Sequence, residues 1–328
     1  YEGAPDYPSV SRIWDIIQKY RVTIFYTTPT ALRMFMKFGD DIPNSFDLSA
    51  LRLLGTVGEP INPEVWKWYF HVIGKKKCPI IDTWWQTETG GMMISNLPGI
   101  ETVPLKPGSA TRPIPGVDIS VVDDDGNEVE NDTKGSLIIR KPWPGMLLTL
   151  WGDDEKYKDV YWSKYDGMYY PGDYAIKDND GYLWLLGRSD DVLKVAGHRI
   201  GTAELESSLV SHNDIAESAV CGIPDELRGE SIIAFIVLKD GVTTPNDVLR
   251  TELISTVRNG IGPIATPSEF YFVTKLPKTR SGKIMRRLLK SIATKQRIGD
   301  ISTLEDGAAV EEVQSAFDEL QSAINRDM

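Results

Sequence analysis

At 328 residues the chain has room for roughly two domains of 100 to 200 residues each, and a 41% hydrophobic share is ample for buried cores. Disordered, collagen-like and disulfide-framework classes are thereby excluded. Against 36 basic residues stand 47 acidic ones, a formal charge of -11, so the surface as a whole is not built for nucleic acid and a phosphate-bearing partner has to be met locally.

In chain order, Val10, Ile13, Trp14 and Ile17 share one helical face within residues 9–20, and residues 23–26 then read as a short strand. The alternation repeats. Residues 31–38 are expected to be helical, 51–57 a buried strand, 63–73 a helix with proline near its first turn, and 79–82 another strand. Strands alternating with helices imply a parallel α/β layer. After about residue 110 come short strands with turn signals: 117–122, an Asp125-Gly126 turn, 135–140, and 182–186 after Asn179-Asp180-Gly181. Beyond Arg188 the pattern is that of a small α+β domain, with a helix at 203–211, strands at 216–220 and 232–238, a helix at 246–257, a strand at 269–273 and a basic helix from Ile284. A terminal amphipathic helix carries Val310, Val313, Phe317, Leu320 and Ile324 on one face, able to dock on this chain or on a partner.

The two cysteines, Cys78 and Cys221, lie far apart without metal-type spacing and are expected to be packed thiols in a reducing compartment. No apolar run approaches the roughly 18 residues that would span a bilayer. The chain opens on Tyr1 without a cationic and apolar leader, and reads as a piece starting inside something longer.

Four segments carry chemistry. The first, Pro-Lys-Thr-Arg-Ser-Gly-Lys at 277–283, presents Lys283 at the end of a flexible loop before a helix, where it can reach an external anion. It resembles a phosphate-cradling loop but lacks the second glycine and the spacing of a Walker motif. From Lys275 to Arg297 there are nine Lys or Arg and no acid, and the plain reading of such a run is a solvated helix face or a nucleic-acid patch. The second segment, residues 187–200, flanks an Asp-Asp pair and a Val-Ala-Gly turn with Arg188 and Arg199. Two guanidinium groups suit phosphate or ribose, and a surface salt-bridge network is the alternative. The third, Asp82-Thr83-Trp84-Trp85-Gln86-Thr87-Glu88, directly follows a strand, which is where open α/β sheets bind ligands. The fourth pairs Gly58-Glu59-Pro60, also after a strand, with Pro171-Gly172-Asp173, whose carboxylate could accept hydrogen bonds from ribose hydroxyls.

In this order the four segments resemble the AMP-forming acyl-CoA synthetases of the adenylate-forming superfamily. Thr-Trp-Trp-Gln-Thr-Glu matches an aromatic-x-x-Thr-Glu motif, Pro-Gly-Asp a ribose-binding aspartate, Gly-Arg-Ser-Asp-Asp a hinge and 277–283 a catalytic-lysine loop. Within the superfamily the acetyl-CoA synthetases are most similar, through Gly58-Glu59-Pro60, Trp84-Trp85, residues 196–204 and residues 281–287.

The resemblance implies an acetate-CoA ligase that joins acetate and ATP into acetyl-AMP and then transfers acetyl to CoA. It implies residues 1–189 as the C-terminal part of a large domain of parallel and antiparallel β structure, and 190–328 as a small mobile α+β domain turning about Asp190. Lys283 would be the catalytic residue of adenylation, and in relatives it is a target of acetylation. Gly58, Glu59, Pro60, Asp82, Thr83, Trp84, Trp85, Gln86, Thr87, Asp173, Arg188 and Arg199 would hold the nucleotide, while Val57 and Trp85 would close the acetate pocket. Ala196, Gly197 and Arg258 would meet CoA, although relatives often have Ser where Ala196 stands. Glu88 would hold Mg²⁺, and Val210, His212 and Ile215 a second cation through their carbonyls.

The resemblance also implies a cytoplasmic protein with acetate, ATP and CoA as its small-molecule partners and neither nucleic acid nor membrane. The family's Ser/Thr/Gly-rich phosphate loop is not among these residues, so about the first half of a full-length synthetase is missing and could be a separate chain. Propionate or another short acid, and a non-catalytic fragment that binds a partner chain, stand as the alternatives.

Overall fold

The structure is a computed structural model that describes residues 1–296 apart from Thr102, Asp190, Glu226, residues 280–283 and Lys295. Two units make up the chain, residues 1–32 with 39–190 and residues 33–38 with 191–328.

The chain opens with α1 (Arg12–Tyr20), β1 (Ile24–Thr27), α2 (Pro29–Lys37), of which residues 33–37 are counted with the second unit, α3 (Asp41–Asn44), β2 (Leu53–Thr56), α4 (Pro63–Trp68) and β3 (Ile80–Asp82). Helix α4 starts where Asn62 caps it, its Oδ1 accepting from the Val65 N–H at 2.7 Å, with Pro63 in the first turn where no N–H is needed. The single helix expected over 63–73 changes hydrogen-bond pattern at Tyr69 and ends as a π-helical turn, Tyr69–Ile73.

The three strands are parallel in the order β1-β2-β3. Phe25, Leu54 and Ile80 stand in register on one face. Trp14 of α1 and Tyr69 cover it, with ring centres 6.0 and 5.9 Å from Phe25, and the Tyr69 hydroxyl donates to the Phe25 carbonyl at 2.7 Å.

An antiparallel sheet follows, built of β4 (Ile119–Val122), β5 (Lys134–Ile139), β6 (Asp173–Lys177) and β7 (Leu183–Arg188) in that spatial order. Between β5 and β6 lies α5 (Asp154–Tyr161), a helix absent from the sequence reading. It buries none of its residues and so carries no apolar periodicity, and it is started by Asp153, whose carboxylate accepts from the Lys156 N–H.

The second unit contains β8 (Leu193–Val195), β9 (His198–Ile200), α6 (Thr202–Val210), β10 (Ile215–Asp225), β11 (Gly229–Leu238), α7 (Asn246–Gly260), β12 (Glu269–Phe272) and α8 (Arg286–Ala293). Its sheet runs β10-β11-β8-β9, with β12 parallel to β11. Strand β11 reads as an unbroken apolar run because both faces are covered. Ile232, Ala234 and Ile236 pack with Leu205 and Leu209 of α6 and Leu253 and Val257 of α7, while Ile233, Phe235 and Val237 pack with Leu288, Leu289 and Ile292 of α8.

Helix α8 begins at Arg286 rather than at Ile284, because Ile284 forms a β-bridge with Lys278. Part of the basic run is paired within its own unit: Arg286 forks onto Glu206 at 2.7 and 2.5 Å, Lys278 meets Glu217 at 2.8 Å and Lys290 meets Glu230 at 3.1 Å, so three of its nine cations meet acids from other elements. Both cysteines are buried and free. Among the described residues no helix is long and apolar enough to cross a membrane. The terminal amphipathic helix expected around 310–324 lies outside them.

Candidate active site

The parallel strands β2 and β3 deliver their C-terminal residues side by side, Thr56 in register with Asp82. Both are buried, and the Thr56 hydroxyl donates to Asp82 Oδ1 at 2.7 Å. Burial pushes the Asp82 carboxyl up to about 7; the Thr56 hydrogen bond opposes the rise and the negative charge of Glu59 adds to it. Thr83 donates to the Thr56 carbonyl at 3.0 Å and pairs its hydroxyl with that of Tyr26 at 2.6 Å. Beyond β2, Gly58 takes a left-handed φ of 97° and Glu59 accepts from the Thr30 hydroxyl. Val57 and Pro60 are half-buried here.

Residues 84–88 turn across to the antiparallel sheet. Asp173, the first residue of β6, receives the Trp84 indole N–H and the Gln86 side-chain N–H on one carboxylate oxygen, each at 3.3 Å. Gln86 Nε2 also donates to the Pro171 carbonyl at 2.8 Å, and Tyr169 donates to Gln86 Oε1 at 3.2 Å. Arg188, paired with Asp173 across β6 and β7, donates to the same Pro171 carbonyl at 2.6 Å and holds its Nη1 4.0 Å from Asp173 Oδ2. Gly172 is required at this crossing: φ is 80°, and a methyl group there would stand 2.6 Å from Arg188 Nη2. Thr87 and Glu88 fall in a 3₁₀ turn, Thr87–Thr89. Glu88 Oε1 accepts from the Tyr161 hydroxyl at 2.6 Å, and the Tyr161 ring stacks on Tyr169 with centres 5.3 Å apart. Burial first, and then Glu88, push the Tyr161 phenol up to about 12, so it remains a donor. Trp85 is 42% exposed.

Three segments singled out in the sequence are thus joined by direct hydrogen bonds at residues 84–88, 171–173 and 188, leaving a polar rim of carboxylates, an amide and a guanidinium beside an exposed indole. That set can grip hydroxyls, an anion and a flat ring.

In the second unit, Ala196 and Gly197 form the two-residue turn between β8 and β9. Both have positive φ, 48° and 80°, the geometry that such a hairpin needs, and both are exposed. Arg258 is exposed on α7. Arg199 lies in β9, but its side chain, together with Lys283 and Asp190, is outside the described residues. Val210 ends α6; the His212 ring accepts from the Asp214 N–H through Nδ1 and faces Glu252 through Nε2, and its carbonyl accepts from the Ile215 N–H. These contacts of the His212 ring and carbonyl close the loop after α6.

Sequence reasoning missed Tyr26, Thr30, Thr56, Tyr161 and Tyr169. Thr56 was findable as the last residue of a buried strand, whereas Tyr161 and Tyr169 sit on a polar helix and a loop whose proximity to Glu88 only folding reveals.

Stability should depend on pH through Asp82. Its folded value near 7 lies above that of an ordinary carboxyl, so the folded chain holds the proton more tightly and its stability falls as pH rises from about 4 to about 7. The span is on the order of 4 kcal/mol or less. Chemical denaturation across that range should show a shallower pH slope for Asp82→Asn, and an unchanged slope would assign the dependence elsewhere.

The model of the family described as AMP-binding enzyme matches residues 1–151, and that of the AMP-binding enzyme C-terminal domain matches residues 204–283. An acetyl-coenzyme A synthetase of Pyrobaculum aerophilum is 58% identical over 326 residues, covering 99% of this chain and 48% of that protein. One of Streptomyces coelicolor is 55% identical over 315 residues, again 48% of its length. The chain therefore spans about half the length of the curated relatives it matches. Among solved structures, the anthranilate CoA ligase AuaEII in complex with anthranoyl-AMP superposes with a TM-score of 0.78 at 32% identity, over 90% of this chain and 54% of that one.

Proposed function

The chain belongs to the AMP-binding enzyme family, and we propose that it supplies the adenosine-binding and small-domain parts of an AMP-forming acetate-CoA ligase. The observation that carries this is the hydrogen-bonded union of Trp84, Gln86, Asp173 and Arg188 at the strand ends, in a chain whose relatives are named acetyl-coenzyme A synthetase.

In the first step a carboxylate oxygen of acetate attacks the α-phosphorus of ATP, the α–β anhydride bond breaks, and pyrophosphate leaves with acetyl-AMP remaining. In the second, the thiol sulfur of CoA attacks the acetyl carbon and the bond to AMP oxygen breaks, releasing AMP and a proton. Both steps shift negative charge about phosphorus and a carbonyl, so fixed cations and donors are the devices required. Asp173, already oriented by Trp84 and Gln86, accepts from the ribose hydroxyls, and Arg188 faces the same sugar or its phosphate. Asp82, partly protonated near neutrality, sits beside the nucleotide without the full repulsion of a second anion. Gly58, Glu59, Pro60, Thr83 and Thr87 line the adenine and α-phosphate. Ala196, Gly197 and Arg258 meet CoA, Arg199 a phosphate, and Lys283 the reacting oxygens, with Asp190 as the hinge that exchanges them.

Glu88 fits a magnesium ion: Tyr161 occupies one of its oxygens and leaves the other, and Mg²⁺ is commonly held by one or two carboxylates with substrate phosphates and water. When bound, the ion neutralises phosphate charge. Val210, His212 and Ile215 would hold a second cation through their carbonyls.

The test is acetate-dependent exchange of labelled pyrophosphate into ATP. The 328-residue chain alone should show none, and exchange should appear when the unmatched half of the Pyrobaculum aerophilum relative is added; robust exchange by the chain alone, or none by the pair while they bind each other, would refute the reading. In the active pair Trp85→Gly should move kcat/KM from acetate toward longer acids by opening an apolar space, and an unchanged acetate-to-hexanoate ratio would return Trp85 to a packing role.

A further inference from the structure

Of the eight residues of α5, only Tyr157 and Tyr161 are half-buried, and the other six are exposed. These two tyrosines stand one turn apart, and both reach the same segment. Tyr157 donates to the Leu147 carbonyl at 3.3 Å, and Leu147 in turn gives its N–H to the Glu88 carbonyl at 3.3 Å. Tyr161 donates to Glu88 Oε1 at 2.6 Å. One hydroxyl is thus tied to the loop that holds the Glu88 backbone, and the other to its carboxylate.

The Tyr161 ring is itself fixed. It lies within 4° of parallel to the ring of Tyr169, centres 5.3 Å apart, and the wholly buried Tyr169 is met edge-on by Trp143 and Trp162 at 5.3 and 5.8 Å. The stacked pair therefore aims two hydroxyls at residues two apart in sequence, Tyr161 at Glu88 and Tyr169 at Gln86 Oε1, the latter at 3.2 Å. The Tyr169 bond decides which way the Gln86 amide faces. With Oε1 taken, Nε2 is left toward the Pro171 carbonyl and Asp173, whereas the reversed amide would set its oxygen against both of those acceptors. Trp143 secures the far end of the segment, donating its indole N–H to the Thr89 carbonyl at 2.8 Å.

We infer that Tyr161 and Tyr169 are positioning residues of the ligase: Tyr161 sets the Glu88 carboxylate for the cation of the adenylation step, and Tyr169 sets Gln86, and through it Asp173, for the ribose in both steps. The inference rests on the functional reading above and divides the two steps between two hydroxyls. A carboxylate with one oxygen on a fixed donor offers the other in one direction, and hydrogen-bond partners of metal-binding carboxylates are typically worth about 10- to 100-fold in metal affinity or activity. Phosphate charge is gathered when pyrophosphate leaves, so Glu88 matters to the first step, whereas the sugar of the adenylate has to be held through both.

Tyr161→Phe and Tyr169→Phe each delete one oxygen and keep the stacked rings. They are made in the 328-residue chain combined with the unmatched half of the Pyrobaculum aerophilum relative, and calorimetry reads the affinity for ATP with Mg²⁺ and with EDTA. In Tyr161→Phe the gain in affinity that Mg²⁺ brings should shrink about tenfold and pyrophosphate exchange should fall with it, while AMP binding in EDTA and thioester formation from supplied acetyl-AMP keep their wild-type values. Tyr169→Phe should instead weaken AMP binding in EDTA several-fold and slow both half-reactions. Tyr165→Phe, which removes a hydroxyl bound to the Asp123 carbonyl, should match wild type throughout.

An undiminished Mg²⁺ gain in Tyr161→Phe, or equal loss in its two half-reactions, would overturn the role of Tyr161, and unchanged AMP affinity in Tyr169→Phe would overturn that of Tyr169. Glu88→Gln separates this inference from the reading beneath it. If Glu88→Gln loses the Mg²⁺ gain and Tyr161→Phe does not, the ion belongs to Glu88 and Tyr161 is packing. If Glu88→Gln keeps the gain, the ion is held elsewhere and the inference falls with that assignment. Absence of ATP binding and exchange in the wild-type pair would sink the functional reading and the inference together.

Discussion

Replacing Lys283 by alanine is expected to abolish acetate-dependent pyrophosphate exchange, at least about a hundredfold, while sparing thioester formation from supplied acetyl-AMP. The asymmetry follows from the two chemistries. Adenylation gathers charge from a carboxylate and three phosphates at one point, where a single ammonium group has the most to neutralise; thioester formation expels an AMP that is already made. If Asp190 is a hinge, the loop is withdrawn in the second step. The measurement needs the chain combined with the half of a relative that restores exchange. Equal loss in both half-reactions would remove the assigned role, and Lys283→Arg should not rescue, because a planar guanidinium cannot replace a compact ammonium at a point contact.

Glu206→Ala is expected to cost the second unit about 3–5 kcal/mol, the range for breaking one partner of a buried ion pair. Glu206 is 8% exposed, and its carboxylate takes the Arg286 fork on both oxygens and the Val220 N–H at 3.0 Å. The charge therefore ties α6, β10 and α8 together, and its removal takes the shared acceptor from Arg286 and from the Val220 N–H. Denaturant unfolding of the full chain, with hydrogen exchange read at β10 and α8, measures the loss. The double variant Glu206→Leu/Arg286→Met should recover most of it, since well-packed apolar side chains of similar size often replace such a pair without penalty. A loss below about 1 kcal/mol in the single variant would mean that the pair is solvated.

Much of this was legible in the sequence, for reasons that differ by region. Strands β2 and β3 announce themselves because parallel strands read as short continuous apolar runs, and the residues that follow them are the ones an open α/β sheet turns toward ligands. Asp173 was readable through its Pro-Gly-Asp motif, and the fold adds why glycine precedes it, at a positive φ where Arg188 crosses. Helix α5 was not readable: an exposed helix held by its cap has no period to detect. Nor were the partners of Glu88 and Asp82, because Tyr161 and Thr56 reach them through the fold and not along the chain. The partners of Lys278, Arg286 and Lys290 in the basic run were hidden for the same reason, lying 60 to 80 residues away in sequence.

Those internal pairs have a consequence at the bench. With Lys278, Arg286 and Lys290 each turned onto an acid of their own unit, three cations of the run that looks like a handle for polyanions are already engaged. The chain should behave chromatographically as the anion its total charge of -11 makes it, retained on a quaternary-amine column at neutral pH and passing through heparin at modest salt.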